Sequence, residues 1–213
     1  MDSYQETFET WNNIASLYEE KFMSLDLYNK TYEIFCELIV RHNAQVLDVG
    51  CGPGNITKFL LSRLPNLEIL GIDVSPNMLD LAKKNNPKAH FKQMDCRYLD
   101  ELQSKFDAVI SGFCLPYLSR SDVQKLLADI DKLLSPGGII YLSIVEGDPN
   151  LSGFQTSSNG QRSYFFYHDL ESLKQSLDRF SIQILKEIRL EYLTSAKNIE
   201  VHTVIIGKKD SAL

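Results

Sequence analysis

The stretch Val46-Leu47-Asp48-Val49-Gly50-Cys51-Gly52-Pro53-Gly54 constrains the fold more than any other part of the chain. A short apolar run ends in three glycines at alternate positions, and the helix-forming Asn55-Ile56-Thr57-Lys58-Phe59-Leu60-Leu61 follows at once. Glycines in that context let the chain turn sharply and let a ligand approach bare backbone. A second apolar run, Glu68-Ile69-Leu70-Gly71-Ile72, ends at Asp73, 19 residues after Gly54. A carboxylate there can accept both hydrogen bonds from an adenosine ribose. Strand, glycine turn, helix, strand and acid, in that order, predict a nucleoside-containing cofactor on an α/β sheet.

Two cofactor classes compete for that site. A dinucleotide fold uses G-x-G-x-x-G, which seats a pyrophosphate at a helix N-terminus, whereas the spacing here is G-x-G-x-G with Asn55 next. Asp48 also bears on the choice. A carboxylate facing the cleft would repel a pyrophosphate and would suit a cationic ligand with an ammonium and a sulfonium.

The rest of the chain supports an α/β architecture, because its hydrophobic period keeps switching between helix-like and strand-like. Phe8, Trp11, Ile14, Ala15 and Tyr18 fall on one helical stripe and Tyr32, Phe35, Leu38 and Ile39 on a second, predicting two helices before the first strand. Further buried strands are expected at Ala89–Gln93, Asp107–Ile110 and Ile139–Ile144. A helix capped by Ser75-Pro76 separates the second and third. Another begins after Ser121, with Val123, Leu126, Leu127, Ile130, Leu133 and Leu134 on one face, and stops at Ser135-Pro136-Gly137-Gly138. The tail differs: Phe180–Leu190 and Ile199–Gly207 alternate with period two and have no helix between them, so they read as an antiparallel pair. Between Glu146 and Phe165 lies the one long stretch without pattern, of the kind that forms lids, with Asn159-Gly160 as a candidate tight turn.

Composition narrows the function classes. Twenty-eight acidic against 22 basic side chains give a net charge of −6, which disfavours broad contact with nucleic acid, since that needs many Lys and Arg to neutralise phosphates. A hydrophobic content of 44% in 213 residues is that of one ordinary globular domain. No stretch approaches the roughly 18 apolar residues of a membrane span, and the acidic, polar N-terminus carries no apolar run, so no membrane partner and a cytoplasmic location are expected. Cys36, Cys51, Cys96 and Cys114 show no paired spacing and are read as free thiols, and the scattered His42, His90, His168 and His202 suggest no metal site.

With these residues in view, the chain from about Trp11 to about Gly207 resembles the class I S-adenosylmethionine-dependent methyltransferases. Val46–Gly54 is similar to that family's first motif almost letter for letter, and Leu70-Gly-Ile-Asp73-Val-Ser-Pro-Asn-Met78 to its second. Met94-Asp95-Cys96, Phe106-Asp-Ala-Val-Ile-Ser-Gly-Phe113 and Leu134-Ser-Pro-Gly-Gly138 follow in the family's order. The resemblance implies a Rossmann-like, seven-stranded, mostly parallel sheet with an antiparallel C-terminal strand pair and helices on both faces. It implies a single domain over 1–213: N-terminal helices over the cofactor cleft in 1–43, a cofactor-binding core in 44–145, a lid in 146–168, and a helix with the antiparallel pair in 169–213. The implied cofactor is S-adenosylmethionine, leaving S-adenosylhomocysteine. Its site would comprise Asp48, Gly50, Cys51 and Gly52, with Gly50 and Gly52 backbone near the methionine portion. Asp73, Val74 and Met78 would hold the ribose side, Asp95 and Cys96 the adenine, and Phe113 would stand near the methyl. Tyr18 either closes over the methionine portion or packs in the core, and Trp11 reads as packing.

Methyl transfer from a sulfonium asks the protein chiefly to align a nucleophile and exclude water. A base is needed only for an acceptor that arrives protonated, and no residue declares itself as one. The candidates are Tyr117 after the fourth strand, Glu146 after the fifth, and His168, which also fits a helix cap with Glu171 in capping-box spacing. Arg162, Tyr164 and Tyr167, beside the long loop, could line an acceptor pocket, with Arg162 pairing an anionic group. A small-molecule acceptor is expected, since Ser111-Gly112-Phe113-Cys114 stands where base-modifying relatives carry Asn-Pro-Pro-Tyr. A monomer or homodimer is expected. The alternatives are a cofactor-binding protein on the same fold without transfer activity, because fold does not give function, and, behind it, a nucleic-acid or protein methyltransferase.

Overall fold

The computed structural model describes residues 2–157, 160–194 and 197–211. Three helices come first, α1 (Ser3–Asn13), α2 (Ala15–Phe22) and α3 (Asn29–Leu38). The first apolar stripe is therefore split where one helix was predicted. Ile14 leaves helical geometry at φ −101°, ψ 14°, and the carbonyl of Asn12 accepts from Asn77 Nδ2 at 2.8 Å, while its side-chain oxygen accepts from Ser75 Oγ and the Asn77 N–H. Groups that would continue the helix are taken by another element.

The predicted apolar runs become parallel strands β1 (Gln45–Val49), β2 (Glu68–Asp73), β3 (His90–Gln93), β4 (Phe106–Ser111) and β5 (Leu134–Val145). Between them run α4 (Asn55–Arg63), α5 (Pro76–Asn85) and α6 (Arg120–Leu133). After a small hairpin, β6 (Gly153–Thr156) and β7 (Arg162–Phe165), come α7 (Leu170–Arg179), β8 (Ile182–Leu193) and β9 (Ile199–Lys209). The main sheet has the order β3-β2-β1-β4-β5-β9-β8, and β9 runs antiparallel to both β5 and β8. The tail thus forms the reversed pair that its alternation predicted.

Helices cover both faces, which is why the central strands are continuously apolar. Phe35 of α3 and Leu60 of α4 pack with Val46, Ile69 and Tyr141 on one side. Leu126 and Ile130 of α6 and Leu173 and Leu177 of α7 pack with Leu47, Val109 and Leu142 on the other. Leu60, Leu126 and Ile130 are fully buried, so truncating any of them to Ala costs about 2–5 kcal/mol. No helix among the described residues is long and apolar enough to cross a membrane.

Three local readings change. α6 starts at Arg120, because Ser119 rather than Ser121 accepts the capping bond from the Asp122 N–H; both serines suit a cap. Leu134–Gly138 is taken into β5, where Leu134 pairs with Phe106 and the register shifts before Ala108 meets Ile139. The patternless stretch holds β6 and β7, clamped to α1 through Thr10 Oγ1 on the Arg162 carbonyl and the Tyr164 N–H on Thr7 Oγ1. Of the predicted turn there, Asn159 lies outside the described residues.

Candidate active site

The chain passes from β1 outward to β2 and β3 and then returns to β4, so a crevice opens at the carboxyl ends of β1 and β4. The glycine turn forms its floor. Gly50, Gly52 and Gly54 all have positive φ, at 69°, 52° and 81°. A Cβ on Gly54 would stand 2.3 Å from Asn86 Nδ2, whereas at Gly52 the nearest atom would be on the Tyr18 ring at 3.8 Å. Gly54 is thus required by packing, and Gly52 keeps the cleft open. The Gly52 N–H donates to Asp73 Oδ2 and the Ser75 N–H to Asp73 Oδ1, both at 2.9 Å. These two bonds fix the carboxylate at the end of β2, and each oxygen retains a lone pair for a hydroxyl. Burial raises the Asp73 pKa despite the bonds.

Beneath the turn, Asp48 is fully buried. Thr57 Oγ1 donates to its Oδ2 at 2.7 Å, and Oδ1 has no partner. Burial pushes its carboxyl up to about 7, with the Thr57 bond opposing and Asp73 adding to the rise. Ser111 Oγ, at the end of β4, and Trp11 Nε1 are likewise buried without partners. Unpaired buried polar atoms are uncommon in a finished core, and their presence around one crevice fits a polar ligand that would complete them.

Two chambers share this crevice. The first is walled by Tyr18, Gly50, Gly52, Asp73, Val74, Met78, Asp95, Cys96 and Phe113, which brings together nearly all of the residues expected at the cofactor. Its far end differs from expectation. Both oxygens of Asp95 are held by Arg97 at 2.6–3.1 Å, and the Arg97 guanidinium lies 4.0 Å from the Tyr4 ring centre. Cys96 Sγ stands 3.6 Å from Cys114 Sγ, and this contact, with burial behind it, raises its pKa.

The second chamber shares Trp11, Tyr18, Gly50, Gly52, Phe113 and Tyr117 with the first, and Cys51 belongs to it alone. Trp11, expected to be packing, is therefore a wall of both, edge-on to Tyr18 and Tyr117 at 5.5 and 5.1 Å. Phe113 is one of few non-glycine residues with positive φ, 59°, a strained state in which its N–H donates to Ser143 Oγ at 2.6 Å. Its ring lies 4.8 Å from Tyr28 and 5.0 Å from His202. Tyr28 Oη and His202 Nδ1 are 2.6 Å apart, and His202 Nε2 faces Glu200 Oε2 at 3.4 Å. Burial lowers the His202 pKa, with Glu200 opposing. Neither Tyr28, Glu200 nor His202 was singled out from sequence. The one available signal was Glu200-Val201-His202, two polar groups on one face of a strand.

Of the proposed bases, Tyr117 lines both chambers and burial raises its pKa. Glu146 does not line them; it is ion-paired to Arg189 at 2.8 Å and accepts from Thr203 Oγ1. Burial acts to raise its pKa, and these bonds outweigh it to give a lowered one. His168 is buried away from both chambers, its Nε2 2.8 Å from the Leu115 carbonyl, and burial lowers its pKa. The cap of α7 is Asp169, which accepts from the Ser172 N–H, so the capping reading of His168 was one residue early. Arg162 grips Glu6 of α1 at 2.7 and 2.9 Å, and the Tyr164 ring lies edge-on to Phe154 and tilted against Phe166. Tyr167 lines a separate outer groove with Arg120. None of these three lines either chamber; Phe165 does. Among the described residues no group of three His, Cys, Asp or Glu is placed to hold a metal ion.

Comparison with known proteins agrees with this geometry. Residues 46–138 match the model of a methyltransferase domain family. The chain is 37% identical over 101 residues to a trans-aconitate 2-methyltransferase of Methylobacterium nodulans, covering 47% of this chain and 38% of that protein. An uncharacterised methyltransferase of Oceanobacillus iheyensis is 26% identical over 85% of this chain and 83% of its own. The chain spans between 38% and 49% of the length of several curated relatives it matches, the trans-aconitate enzyme included. Among solved structures, magnesium protoporphyrin IX methyltransferase from Synechocystis, with S-adenosylmethionine bound, shares the fold at a TM-score of 0.71 and 13% identity, over 99% of this chain and 98% of that one. Residues 46–138 are thus similar to a methyltransferase domain, and the chain as a whole has the fold of solved S-adenosylmethionine-dependent methyltransferases.

Proposed function

We propose that the chain moves a methyl group from S-adenosylmethionine to a small-molecule acceptor. The observation that carries this is the Asp73 carboxylate, fixed by the Gly52 and Ser75 N–H groups at the mouth of an open glycine turn. In this reading Asp73 takes the ribose hydroxyls, Gly50 and Gly52 lie under the methionine portion, and Asp48 supplies negative charge beneath a cationic ligand. The cofactor, when bound, supplies a methyl carbon on a positively charged sulfur, open to in-line displacement. The chain's own tasks are then geometric. Trp11, Tyr18, Phe113 and Tyr117 exclude water from the boundary between the chambers, and their packing must hold an acceptor atom about 3 Å from the methyl. The trans-aconitate and magnesium protoporphyrin IX enzymes act on small molecules by their names, which supports an acceptor of that size class.

Calorimetric titration tests the reading. S-adenosylhomocysteine should bind and NAD should not, and a screen of metabolite pools with labelled S-adenosylmethionine should transfer label. Binding of NAD in preference would refute it, and tight cofactor binding without transfer to any pool would leave a binding protein.

A further inference from the structure

The second chamber has a chemistry of its own. Among the described residues nine Phe, Tyr and Trp rings line it, no Lys or Arg does, and its only carboxylate is Glu200. Arg162, the cation expected at an acceptor pocket, is committed to Glu6 and does not line the chamber. A polycarboxylate would meet one anion and no cation here, at a cost in desolvated charge that nothing in the wall offsets. A flat apolar body would meet ring faces and edges. One polar feature interrupts the rings: Tyr28, His202 and Glu200 in hydrogen-bonding order, with Tyr28 and His202 buried beside the strained Phe113 at the boundary with the first chamber.

The direction of that chain follows from its ends. Glu200 Oε2 faces His202 Nε2, and an oxygen acceptor there is met by an N–H on Nε2, which leaves Nδ1 as an acceptor, so we assign the Tyr28 O–H as donor to Nδ1. The phenolic oxygen of Tyr28 then keeps its lone pairs for another donor. Burial lowers the His202 pKa, while Glu200 opposes this and favours the imidazolium that a proton transfer would form; burial raises the Tyr28 pKa, so that Tyr28 must pass its proton on as it receives another.

We propose that this chamber receives the methyl acceptor and selects a flat, uncharged, aromatic-bodied molecule whose hydroxyl donates to Tyr28, with Tyr28, His202 and Glu200 taking up its proton. The proposal rests on the cofactor reading above. In the step, the acceptor O–H bond breaks and its electron pair stays on oxygen for the new bond to carbon. The proton goes to Tyr28 Oη, the Tyr28 proton goes to His202 Nδ1, and the imidazolium is held by Glu200 at Nε2. Tyr192, stacked on His202 at 4.9 Å, is the other titratable group facing the ring. Glu200 is the partly exposed end of the relay, at 34% of its side chain, and returns the proton to water.

Trp11 is the only tryptophan and borders both chambers, so its fluorescence reports occupancy without turnover. Protein saturated with S-adenosylhomocysteine, its binding first established by calorimetry, is titrated with 4-nitrophenol, with nitrobenzene, which lacks the hydroxyl, and with trans-aconitate. Expected is quenching by 4-nitrophenol with roughly tenfold tighter binding than nitrobenzene, no displacement by trans-aconitate, and a larger phenolate absorbance for the bound probe than in Tyr28→Phe or His202→Asn. The tenfold preference should collapse to about twofold or less in Tyr28→Phe, a variant that keeps the ring in place, while Glu200→Gln should lower the phenolate fraction and keep the preference. Equal affinity for the two nitro compounds, an undiminished preference in Tyr28→Phe, or displacement by trans-aconitate would overturn the proposal. Loss of S-adenosylhomocysteine binding in the wild-type protein would instead overturn the cofactor reading on which it rests.

Discussion

The two chambers share walls but are built in opposite ways. The first is drawn from one continuous run: β1, the glycine turn, α4, β2 and the start of α5 place Asp48, Gly50, Gly52 and Asp73 within 26 residues of each other. The second is assembled from Trp11 on α1, Tyr28 before α3, Phe113 after β4, and Glu200 and His202 on β9. Tyr28 and His202 are 174 positions apart in the chain and 2.6 Å apart in space. A locally built site concentrates its function in few positions, while an assembled one distributes it and leaves acceptor choice free to vary without disturbing the cofactor.

If that contrast holds, the sharpest losses come from the local half. Asp73→Ala should weaken S-adenosylhomocysteine by about 2 kcal/mol or more, roughly 30-fold, if its bonds to the ribose are charge-assisted; calorimetry reads this directly. Gly52→Ala should cost about 1 kcal/mol of stability for a side chain at positive φ and weaken the ligand by roughly tenfold, since the added methyl enters the cleft and meets only Tyr18. Denaturant titration and binding together separate the two effects.

Asp48 makes a smaller, pH-dependent contribution. Its folded-state pKa of about 7 lies above the ordinary 3.8. The folded protein therefore holds a proton that the unfolded chain has lost, and the stability this group contributes is full below about pH 4 and fades as pH rises to about 7. A cationic ligand needs the carboxylate ionised, so S-adenosylmethionine should release a proton on binding at pH 6 and bind several-fold tighter at pH 8. Asp73 is shifted in the same direction, so the comparison that isolates Asp48 is Asp48→Asn, in which the dependence should flatten. Smaller still, a thiol reagent should label Cys96 and Cys114 a few-fold more slowly in the S-adenosylhomocysteine complex, because both line the first chamber; equal rates in the presence and absence of ligand would place the thiols outside the cofactor's footprint. The smallest effect should come from the assembled half: His202→Ala should leave S-adenosylhomocysteine affinity within about twofold, since His202 lines only the second chamber.

The same contrast explains what could be read from the sequence. Parallel strands, the reversed tail and the Asp73 position follow from periodicity and from glycines whose backbone geometry is fixed locally, and the sheet carries them as expected. Trp11 reads as an ordinary member of a helical stripe, because nothing in the spacing shows that its indole N–H is left unpaired at a cleft. Arg162 suggests an anion site until α1 and β7 are seen to bring Glu6 against it. Asp95 suggests a free acceptor until Arg97 two positions on is seen to fold back onto it. These corrections all come from partners supplied by tertiary packing or side-chain rotamers, which hydrophobic period does not encode.

The division of labour between the chambers is tested most directly by a crystal structure with S-adenosylhomocysteine. The account predicts the ribose hydroxyls on Asp73, the adenine beside Cys96, and the sulfur at the Phe113 boundary, directed toward Tyr28 and His202. A ligand whose sulfur faced away from the aromatic chamber, or whose adenosine filled that chamber, would contradict it.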